Sequence, residues 1–429
     1  MQLSKKSFPS YLIGFALSCV SSVLYAETLE QAWTIAIENN HRIKAAKADI
    51  SAYDQQLYAA EGQQLPTVNL SSGYTQLSVT PSIKAKFGGQ TAQFPSAQDG
   101  FFKSQAIVSV PVYTSGVISH NISAAEAALE ASKHQEVSTI FDLKMQVAEA
   151  YITVLRSEGA LQVAQSHVDS MAAHSKDAQN RFNQGVVARN DVLAATVEQA
   201  NAQQKVVQVK NQIDIAKARY NQLLNRSLVA AVQLTPQYPK SPEGSLKDLN
   251  DTALKYRPEL SVLSQQIASL EQQSQSVSSG LLPQISVNGG YQYEQNRYQV
   301  HEGMWMVNVG MQWKLFDGST RHKSDAIVRQ ALALKEQRDE LTSMIGLQVR
   351  QAWLDAQESQ KRVEVAKQTI AQANENLKVS TDRYQQGLSV NTDLLKAEDL
   401  RTMAHDNLNN AQYDLALATL HLRYALGML

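Results

Sequence analysis

Two distant stretches of this sequence repeat one pattern, and this repetition decides the fold. Residues 65–74 read LPTVNLSSGY, and residues 282–291 read LPQISVNGGY. Further along, RFNQG at residues 181–185 returns as RYQQG at residues 383–387. Because chance does not explain several matches in one order, the sequence indicates an internal duplication.

The duplication divides the chain into two units that are joined by a proline-rich connector. We predict a first unit at residues 27–232, a connector at 233–244 and a second unit at 245–429. The connector contains three prolines, which are typical of an irregular segment between structured units.

Both units have the same order of predicted elements: a helical segment, two strands, a very long helix, a glycine turn and a last helix. In the first unit these elements are 28–62, strands at about 66–77 and 102–113, helix 118–184 and helix 190–226. In the second unit they are 245–280, strands at about 283–294 and 304–316, helix 320–386 and helix 391–427. A helix of roughly 65 residues is about 100 Å long, a length found in coiled coils and helical tubes rather than in globular domains.

The strand predicted at 304–316 alternates strictly between apolar side chains and side chains that are mostly polar or small. Such alternation over about ten residues, with aromatic residues near the ends, is typical of a membrane β-barrel strand that turns one face to lipid. A half-buried strand of a soluble sheet alternates in the same way, and each strand alone favours that alternative. The predicted lipid-facing residues are Trp305, Val307, Val309, Met311 and Trp313.

The N-terminal segment favours the membrane interpretation, because it has the pattern of a secretory signal peptide. Lys5 and Lys6 precede a short apolar run at residues 11–20, and Ala26 supplies a small residue for cleavage. We therefore predict a signal peptide at residues 1–26. The single cysteine, Cys19, lies inside it, either as part of the removed segment or as a lipid-attachment site.

Composition and motifs exclude several classes of function. A formal net charge of −1 argues against a nucleic-acid binder, which would carry a basic stripe. The histidines include no pair at metal-ligand spacing with a third ligand, and no phosphate-binding loop or nucleophile motif is found. We predict no enzyme activity, no metal and no cofactor, and we interpret His167 and His174 as residues of a solvated helix face.

Four strands cannot close a barrel, since about eight are needed before the interior accommodates side chains. An open sheet edge in lipid would leave backbone groups without partners. Chains must therefore share their strands: two chains give eight strands, and three give twelve with a wide, wet interior. Because the second face of the strands is polar, we predict a homotrimer.

These residues resemble the TolC-like outer-membrane efflux protein family over essentially the whole of residues 27–429. The resemblance rests on the duplicated order, the Leu-Pro pairs that precede the strands, LFDG at 315–318 and YALG at 424–427. It also rests on the RFNQG and RYQQG segments, which are followed by Asp191 and Asp393.

The resemblance implies a mainly α fold with a transmembrane β part, in which a trimeric twelve-stranded barrel in outer-membrane lipid continues into an α-helical barrel in the periplasm. It further implies the export of drugs or proteins when the trimer docks to a periplasmic adaptor, the membrane fusion protein, and to an inner-membrane RND or ABC transporter. Dedicated type I protein secretion remains an alternative function. A periplasmic coiled-coil adaptor or structural protein is a remote alternative from another class, and it would lack the lipid-facing alternation.

The resemblance also assigns roles at the turns between the long helices. It implies an adaptor-contact tip formed by Gly185, Val186, Val187, Gly387, Leu388 and Ser389, although helix capping alone explains the glycines. It implies a periplasmic gate that contains Asp191, Tyr384, Arg189 and Asp393. The arginine of the family's gate falls at Ser389, so we expect Asp191 to pair with Tyr384 or Arg189 instead.

The segment at residues 80–100 is rich in glycine and proline. Such a composition predicts an exposed loop that joins the first two strands.

Overall fold

The computed structural model describes residues 26–236 and 239–429. The predicted signal peptide, with Cys19, lies outside the described residues except for Ala26. The elements of the first unit are α1 (Leu29–Asn39), α2 (His41–Gly62), β1 (Thr67–Gln76), β2 (Ser82–Phe87), β3 (Gln90–Pro95), β4 (Gly100–Tyr113), α3 (Val117–Asn183) and α4 (Arg189–Leu223). Those of the second are α5 (Leu246–Tyr256), α6 (Pro258–Ser279), β5 (Gln284–Glu294), β6 (Gly303–Gln312), α7 (Thr320–Gln385) and α8 (Asn391–Ala425).

The two longest helices dominate the fold. Helix α3 has 67 residues and α7 has 66, so each is about 100 Å long. A four-stranded sheet connects to the ends of α2 and α6 and to the starts of α3 and α7. The predicted fold class, mainly helical with a sheet and an internal duplication, is confirmed. Among the residues that the structure describes, we find no helix apolar enough and long enough to cross a membrane.

The first helical segment of each unit is two helices rather than one. In the first unit Asn40 is extended and interrupts the helix, and its side-chain oxygen caps α2 by accepting a hydrogen bond of 2.9 Å from the Arg42 amide. In the second unit Pro258 starts α6 and forces the preceding Arg257 into an extended conformation. The helical segments predicted at 28–62 and 245–280 are thus each divided into two helices.

A buried layer near the middle of α3 ties the helices together. Tyr151 and Tyr220 are fully buried, and their rings meet edge to face at 6.1 Å between centroids. The Tyr220 hydroxyl donates to a Glu27 carboxylate oxygen at 2.9 Å, and the Tyr151 hydroxyl donates to the Thr235 carbonyl at 2.7 Å. Burial raises the pKa of Tyr151 to about 12. This layer joins the start of the first unit to the start of the connector.

The sheet is antiparallel with the strand order β1-β4-β5-β6. Strand β6 ends at Gln312 instead of continuing to residue 316 as predicted, and β4 begins at Gly100. Strands β1 and β6 are the two edges of the sheet, and each pairs on one side only within the described chain. The sheet is therefore open on both sides.

Residues 80–100 do not form the plain loop that their composition predicts. Strands β2 and β3 pair as a hairpin, and Gly88 and Gly89 at its tip have φ angles of 56° and 88°. Positive φ at both central residues defines a type I′ turn, whose twist matches that of the strands. The buried Asn296 amide donates to the Ser96 carbonyl at 3.1 Å and fixes the base of the hairpin to the β5–β6 connection.

Candidate functional site: an apolar sheet face and two tip turns

The register of the four strands places most apolar side chains on one side of the sheet and most polar side chains on the other, with Ser72 and Ser104 as polar exceptions on the apolar side. Residues directly opposite each other share a face, so the pairs Val68–Val108, Gly289–Val307 and Tyr291–Trp305 lie on one side. We call this side the apolar face. Its apolar and aromatic members are Val68, Leu70, Tyr74, Phe102, Ala106, Val108, Val110, Ile285, Val287, Tyr291, Tyr293, Trp305, Val307, Val309 and Met311.

The apolar face is open to its surroundings. Trp305 and Val307 are each 81% exposed, and Val309 and Met311 are 71% and 66% exposed. Trp313 lies one residue beyond β6, where its indole nitrogen donates to the Leu281 carbonyl at 3.2 Å. A contiguous exposed apolar surface of this kind indicates contact with a membrane or a partner.

The opposite face of the sheet is mostly polar, and we call it the polar face. Lys103 and Glu294 form a salt bridge of 3.4 Å between β4 and β5. The apolar exceptions on this face include Phe101, Ile107, Met304 and Met306. The polar members are Asn69, Ser71, Lys103, Gln105, Ser109, Asn288, Gln292, Glu294, Asn308 and Gln312. The sheet thus has one apolar face and one mostly polar face.

At the far end of the long helices, two turns have the same backbone. Gly185 follows the C-cap residue of α3 and has a φ of 75°, and Gly387 follows the C-cap residue of α7 and has a φ of 74°. In the first turn the Val186 amide donates to the Arg181 carbonyl at 2.9 Å, and in the second Leu388 donates to Arg383 at 2.9 Å. This is the Schellman arrangement, which needs a left-handed residue just past the helix.

The turns present apolar side chains outward. Val186 is 63% exposed and Leu388 is 64% exposed, whereas Val187 is half-buried. The Ser389 hydroxyl is buried and has no hydrogen-bond partner among the described residues. The exposed apolar pair forms a small surface at the tip.

The predicted gate acids lie in the first turns of the next helices. Asp191 is in the first turn of α4 and Asp393 in the first turn of α8, where a carboxylate is favourable for the helix dipole. The Asp191 carboxylate accepts a hydrogen bond of 3.3 Å from the Ala188 amide. Arg189 is exposed and forms no salt bridge within the described chain.

Tyr384 lies beside the second turn and is only 5% exposed. The Arg181 guanidinium lies over its ring at 5.0 Å, and the His174 ring meets it at 5.7 Å between centroids. Its hydroxyl has no hydrogen-bond partner among the described residues. Burial raises the pKa of Tyr384 above its ordinary value; Arg181 opposes this shift, and Asp177 and Asp191 add to it. Asp191 therefore acts on Tyr384 through its charge, without a hydrogen bond between them.

Two residues that join the turns, His174 and Asn391, are not identified as such from the sequence. The His174 Nε2 atom lies 2.7 Å from the Asn391 Oδ1 atom, and the Asn391 amide donates to the Asp191 carbonyl at 3.3 Å. These bonds connect α3, α8 and α4. The solvated helix face predicted for His167 and His174 is wrong, since His167 also bonds to Thr402 at 3.0 Å.

A buried ion pair lies farther along the contact between α3 and α8. Glu398 is 4% exposed and is paired with Arg401, which also donates to the Ser170 hydroxyl at 2.9 Å. Burial acts to raise the pKa of Glu398, but hydrogen bonds from His167 and Arg401 outweigh it, and the pKa is lowered. The contact between α3 and α8 is therefore polar and charged near the tip.

No group of three or more His, Cys, Asp or Glu side chains in the described ranges could hold a metal ion. The features above are surfaces, turns and pairings rather than a reactive centre.

Comparisons with known proteins agree with this architecture. The sequence model of the family described as "Outer membrane efflux protein" matches residues 33–226 and 249–428. Outer membrane protein TolC of Vibrio cholerae is 23% identical over 446 residues, covering 99% of this chain and 96% of that protein. The alkaline protease secretion protein AprF of Pseudomonas aeruginosa is 22% identical, covering 100% of this chain and 90% of that protein.

A solved structure has the same fold. The outer membrane protein VceC of Vibrio cholerae superimposes with a TM-score of 0.77, covering 93% of this chain and 96% of that chain at 16% sequence identity.

Proposed function

This chain belongs to the outer membrane efflux protein family and is an outer-membrane channel protein, and from that premise we propose that it exports its cargo as a homotrimer. The apolar face of the sheet contacts membrane lipid, and the polar face lines the passage. Transport through this passage is driven by partners, and no covalent step is assigned to the chain.

The observation that carries this proposal is a sheet with one apolar face and two free edges. Strands β1 and β6 each have an unpaired side within the described chain, which lipid cannot satisfy. Pairing β1 of one copy with β6 of the next closes the ring without an edge. Three copies give twelve strands, and the polar face then surrounds a wet interior.

The helices support the same assembly. Helix α4 packs on α3, yet its exposed side chains include Val197 and Val207, which are 56% and 68% exposed. Helix α7 likewise exposes Leu354 and Val365, at 47% and 62%. We place these two surfaces against each other between copies, so that the long helices close into a periplasmic tube.

The tip turns are the proposed contact with a periplasmic adaptor and the proposed gate. The exposed Val186 and Leu388 offer apolar contact to the adaptor, which in turn recruits an inner-membrane RND or ABC transporter. We place Asp191 at the closed entrance, because it lies in the first turn of α4 and its backbone carbonyl accepts a hydrogen bond of 3.3 Å from the Asn391 side-chain amide. Asp393 and Arg189 stand at the equivalent starts of α8 and α4, where copies meet around the axis.

Outer-membrane fractionation and gene deletion test the assembly and the cargo. We expect a heat-modifiable trimer in the outer membrane, and a deletion strain that becomes sensitive to drugs or loses secreted proteins. Loss of secreted proteins alone would favour dedicated type I secretion, and the relative AprF is named for the secretion of an alkaline protease. A chain that fractionates as a soluble periplasmic protein would overturn the channel and favour a coiled-coil adaptor.

Single-channel recording tests the gate. Asp191→Ala should shorten the closed-state lifetime and raise the mean conductance of trimers in planar bilayers. The matched control is Asp169→Ala, because Asp169 is an exposed acid on α3 away from the tip turns. Unchanged closed lifetimes in Asp191→Ala would remove Asp191 from the gate and leave the channel assignment intact.

A further inference from the structure

The apolar face carries a slot in the middle of the sheet. The slot has a volume of about 650 Å³ and crosses all four strands. The small residues Ala106 and Gly289 form its floor, and larger side chains form its walls. The larger lining residues are Val68, Val108, Tyr291, Trp305, Met306 and Val307, and Gly290 also lines the slot.

Two adjacent glycines in β5, Gly289 and Gly290, differ in whether the structure requires glycine at that position. A Cβ atom on Gly290 would lie 2.1 Å from the Ala106 carbonyl oxygen, so close packing of the strands excludes a side chain there. A Cβ atom on Gly289 would have no neighbour closer than 3.8 Å, and its φ is not positive. Neither strand packing nor backbone conformation therefore requires glycine at position 289.

Glycine weakens the interior of a strand, and where it is not needed for a bend or a bulge it often marks close approach of a ligand. Gly289 is directly opposite Val108 on one side and Val307 on the other, and both valines point to the same face. The missing side chain between them produces the slot. The slot is therefore a recess in a surface that is otherwise covered by branched and aromatic side chains.

The residues that line the slot indicate which kind of molecule binds there. Every wall side chain is apolar apart from the Tyr291 hydroxyl, and no Lys or Arg lines the slot to recognise a phosphate. Tyr291 and Trp305 stand together at 5.3 Å between ring centroids, on the side of Gly289 farther from the helices. Aromatic pairs are enriched where hydrocarbon meets the headgroup region.

A second copy of the chain does not fit the slot. Copies would pair edge to edge beside β1 and β6, and this extension of the sheet leaves the apolar face uncovered. In an outer membrane protein the surroundings of that face are hydrocarbon.

We propose that the slot at Gly289 binds one phospholipid acyl chain, and that this chain exchanges more slowly than the other lipids around the sheet. The proposal rests on the membrane contact assigned to the apolar face under the proposed function. A lipid bound in this way stays on the outer surface of each protomer longer than the lipids around it.

Quenching of Trp305 by brominated acyl chains tests the proposal, because Trp305 is a wall of the slot. Trimers that carry Trp313→Phe are reconstituted in brominated phosphatidylcholine and then diluted into an excess of unbrominated lipid. Trp33 and Trp353 lie on α1 and α7 and contribute a constant background. We expect fast recovery of most of the fluorescence, followed by a component that recovers at least severalfold more slowly.

Gly289→Leu fills the slot and should remove the slow component. The matched control is Val309→Leu, which adds bulk to the apolar face but does not line the slot. It should keep the slow component, and heat-modified migration of both variants checks that they fold as trimers. Gly289→Ala, which removes less of the slot, is the second variant if Gly289→Leu fails to assemble.

Two results would overturn the inference. A slow component that persists in Gly289→Leu, that keeps its rate unchanged in Gly289→Ala, or that is missing from the parent protein would mean that only ordinary surrounding lipid is present. No quenching in any protein before dilution would instead refute the membrane contact of the apolar face, and with it the proposed function.

Discussion

The two tip turns have nearly identical backbones but different side-chain surroundings. Gly185 and Gly387 have the same φ within one degree, and the hydrogen bonds around them correspond. Yet Phe182 is 38% exposed, whereas Tyr384, at the same place in the second turn, is 5% exposed.

The difference arises from the neighbouring helices. In the second turn α8 packs against α3, so Tyr384 is enclosed by His174 and Arg181. In the first turn the outer side of α4 carries exposed apolar residues. Local sequence therefore sets the path of each turn, and the adjacent helix sets the burial of its aromatic residue. In the proposed trimer, the next copy supplies the neighbour that Phe182 lacks.

Substitution of the two aromatic residues, Tyr384 and Phe182, should change the free energy of unfolding the most. In dispersed monomers Tyr384→Ala should lower the free energy of unfolding by about 3 kcal/mol or more, because it removes a buried ring. Phe182→Ala should lower it by less than about 1 kcal/mol, because more of that ring is already exposed. Chemical denaturation followed by circular dichroism measures both. Equal losses in the monomer would contradict the difference in burial between the two rings, whereas a larger loss for Phe182→Ala in the trimer than in the monomer would support contact of Phe182 with the next copy.

The next effect should be the same in both turns. Gly185→Val and Gly387→Val each place a branched side chain at positive φ, which costs about 1–2 kcal/mol. No atom lies within 4 Å of a Cβ at either site, so the loss reflects backbone conformation alone. Gly62→Ala is the control, since Gly62 is helical and its substitution should be neutral or slightly stabilising. Unfolding losses that differ by more than about 1 kcal/mol between the turns would contradict their equivalence.

The common backbone of the turns follows from local sequence, and their surroundings do not. RFNQG and RYQQG place a glycine two residues past the last residue of each long helix, where a left-handed conformation ends an α-helix. The contact of His174 with Asn391 depends on how α8 packs on α3, and a periodic helix sequence does not specify that neighbour. Solvation is the default interpretation of a histidine on such a helix, and here it is wrong.

Other elements also differ in how far the local sequence predicts them. The alternation from Trp305 to Met311 predicts one apolar face, but the alignment of four strands into that face requires their register. The hairpin at β2 and β3 had a local signal in Gly88-Gly89 between alternating stretches, which the overall glycine and proline content obscures. Pro258 likewise predicts the break between α5 and α6, while Asn40 gives only a weak cap signal for the equivalent break.

A smaller effect on stability is expected when Tyr384 of the second turn is replaced by phenylalanine, the residue at the same place in the first turn. Tyr384→Phe gives both turns a phenylalanine and removes a buried hydroxyl that has no partner among the described residues. Leaving such a group unsatisfied costs about 1–3 kcal/mol, so the variant should be more stable by about 1 kcal/mol. Denaturation at pH 7 measures the gain. A loss of stability would mean that the hydroxyl has a partner in the assembled protein.

The smallest effect concerns the pH dependence of the same pair of proteins. Burial raises the pKa of Tyr384 above its ordinary value of 10.0, so the folded protein keeps the phenol neutral while the unfolded chain begins to ionise. Above pH 10 the folded state therefore binds more protons than the unfolded state, and stability falls as pH rises. Tyr384→Phe lacks this loss, and other buried tyrosines such as Tyr151 are common to both proteins. The stability difference should be constant up to about pH 9 and should widen above pH 10 in favour of Tyr384→Phe. Parallel pH profiles up to pH 11 would mean that Tyr384 is as hydrated as an ordinary tyrosine, which would make the second turn as open as the first.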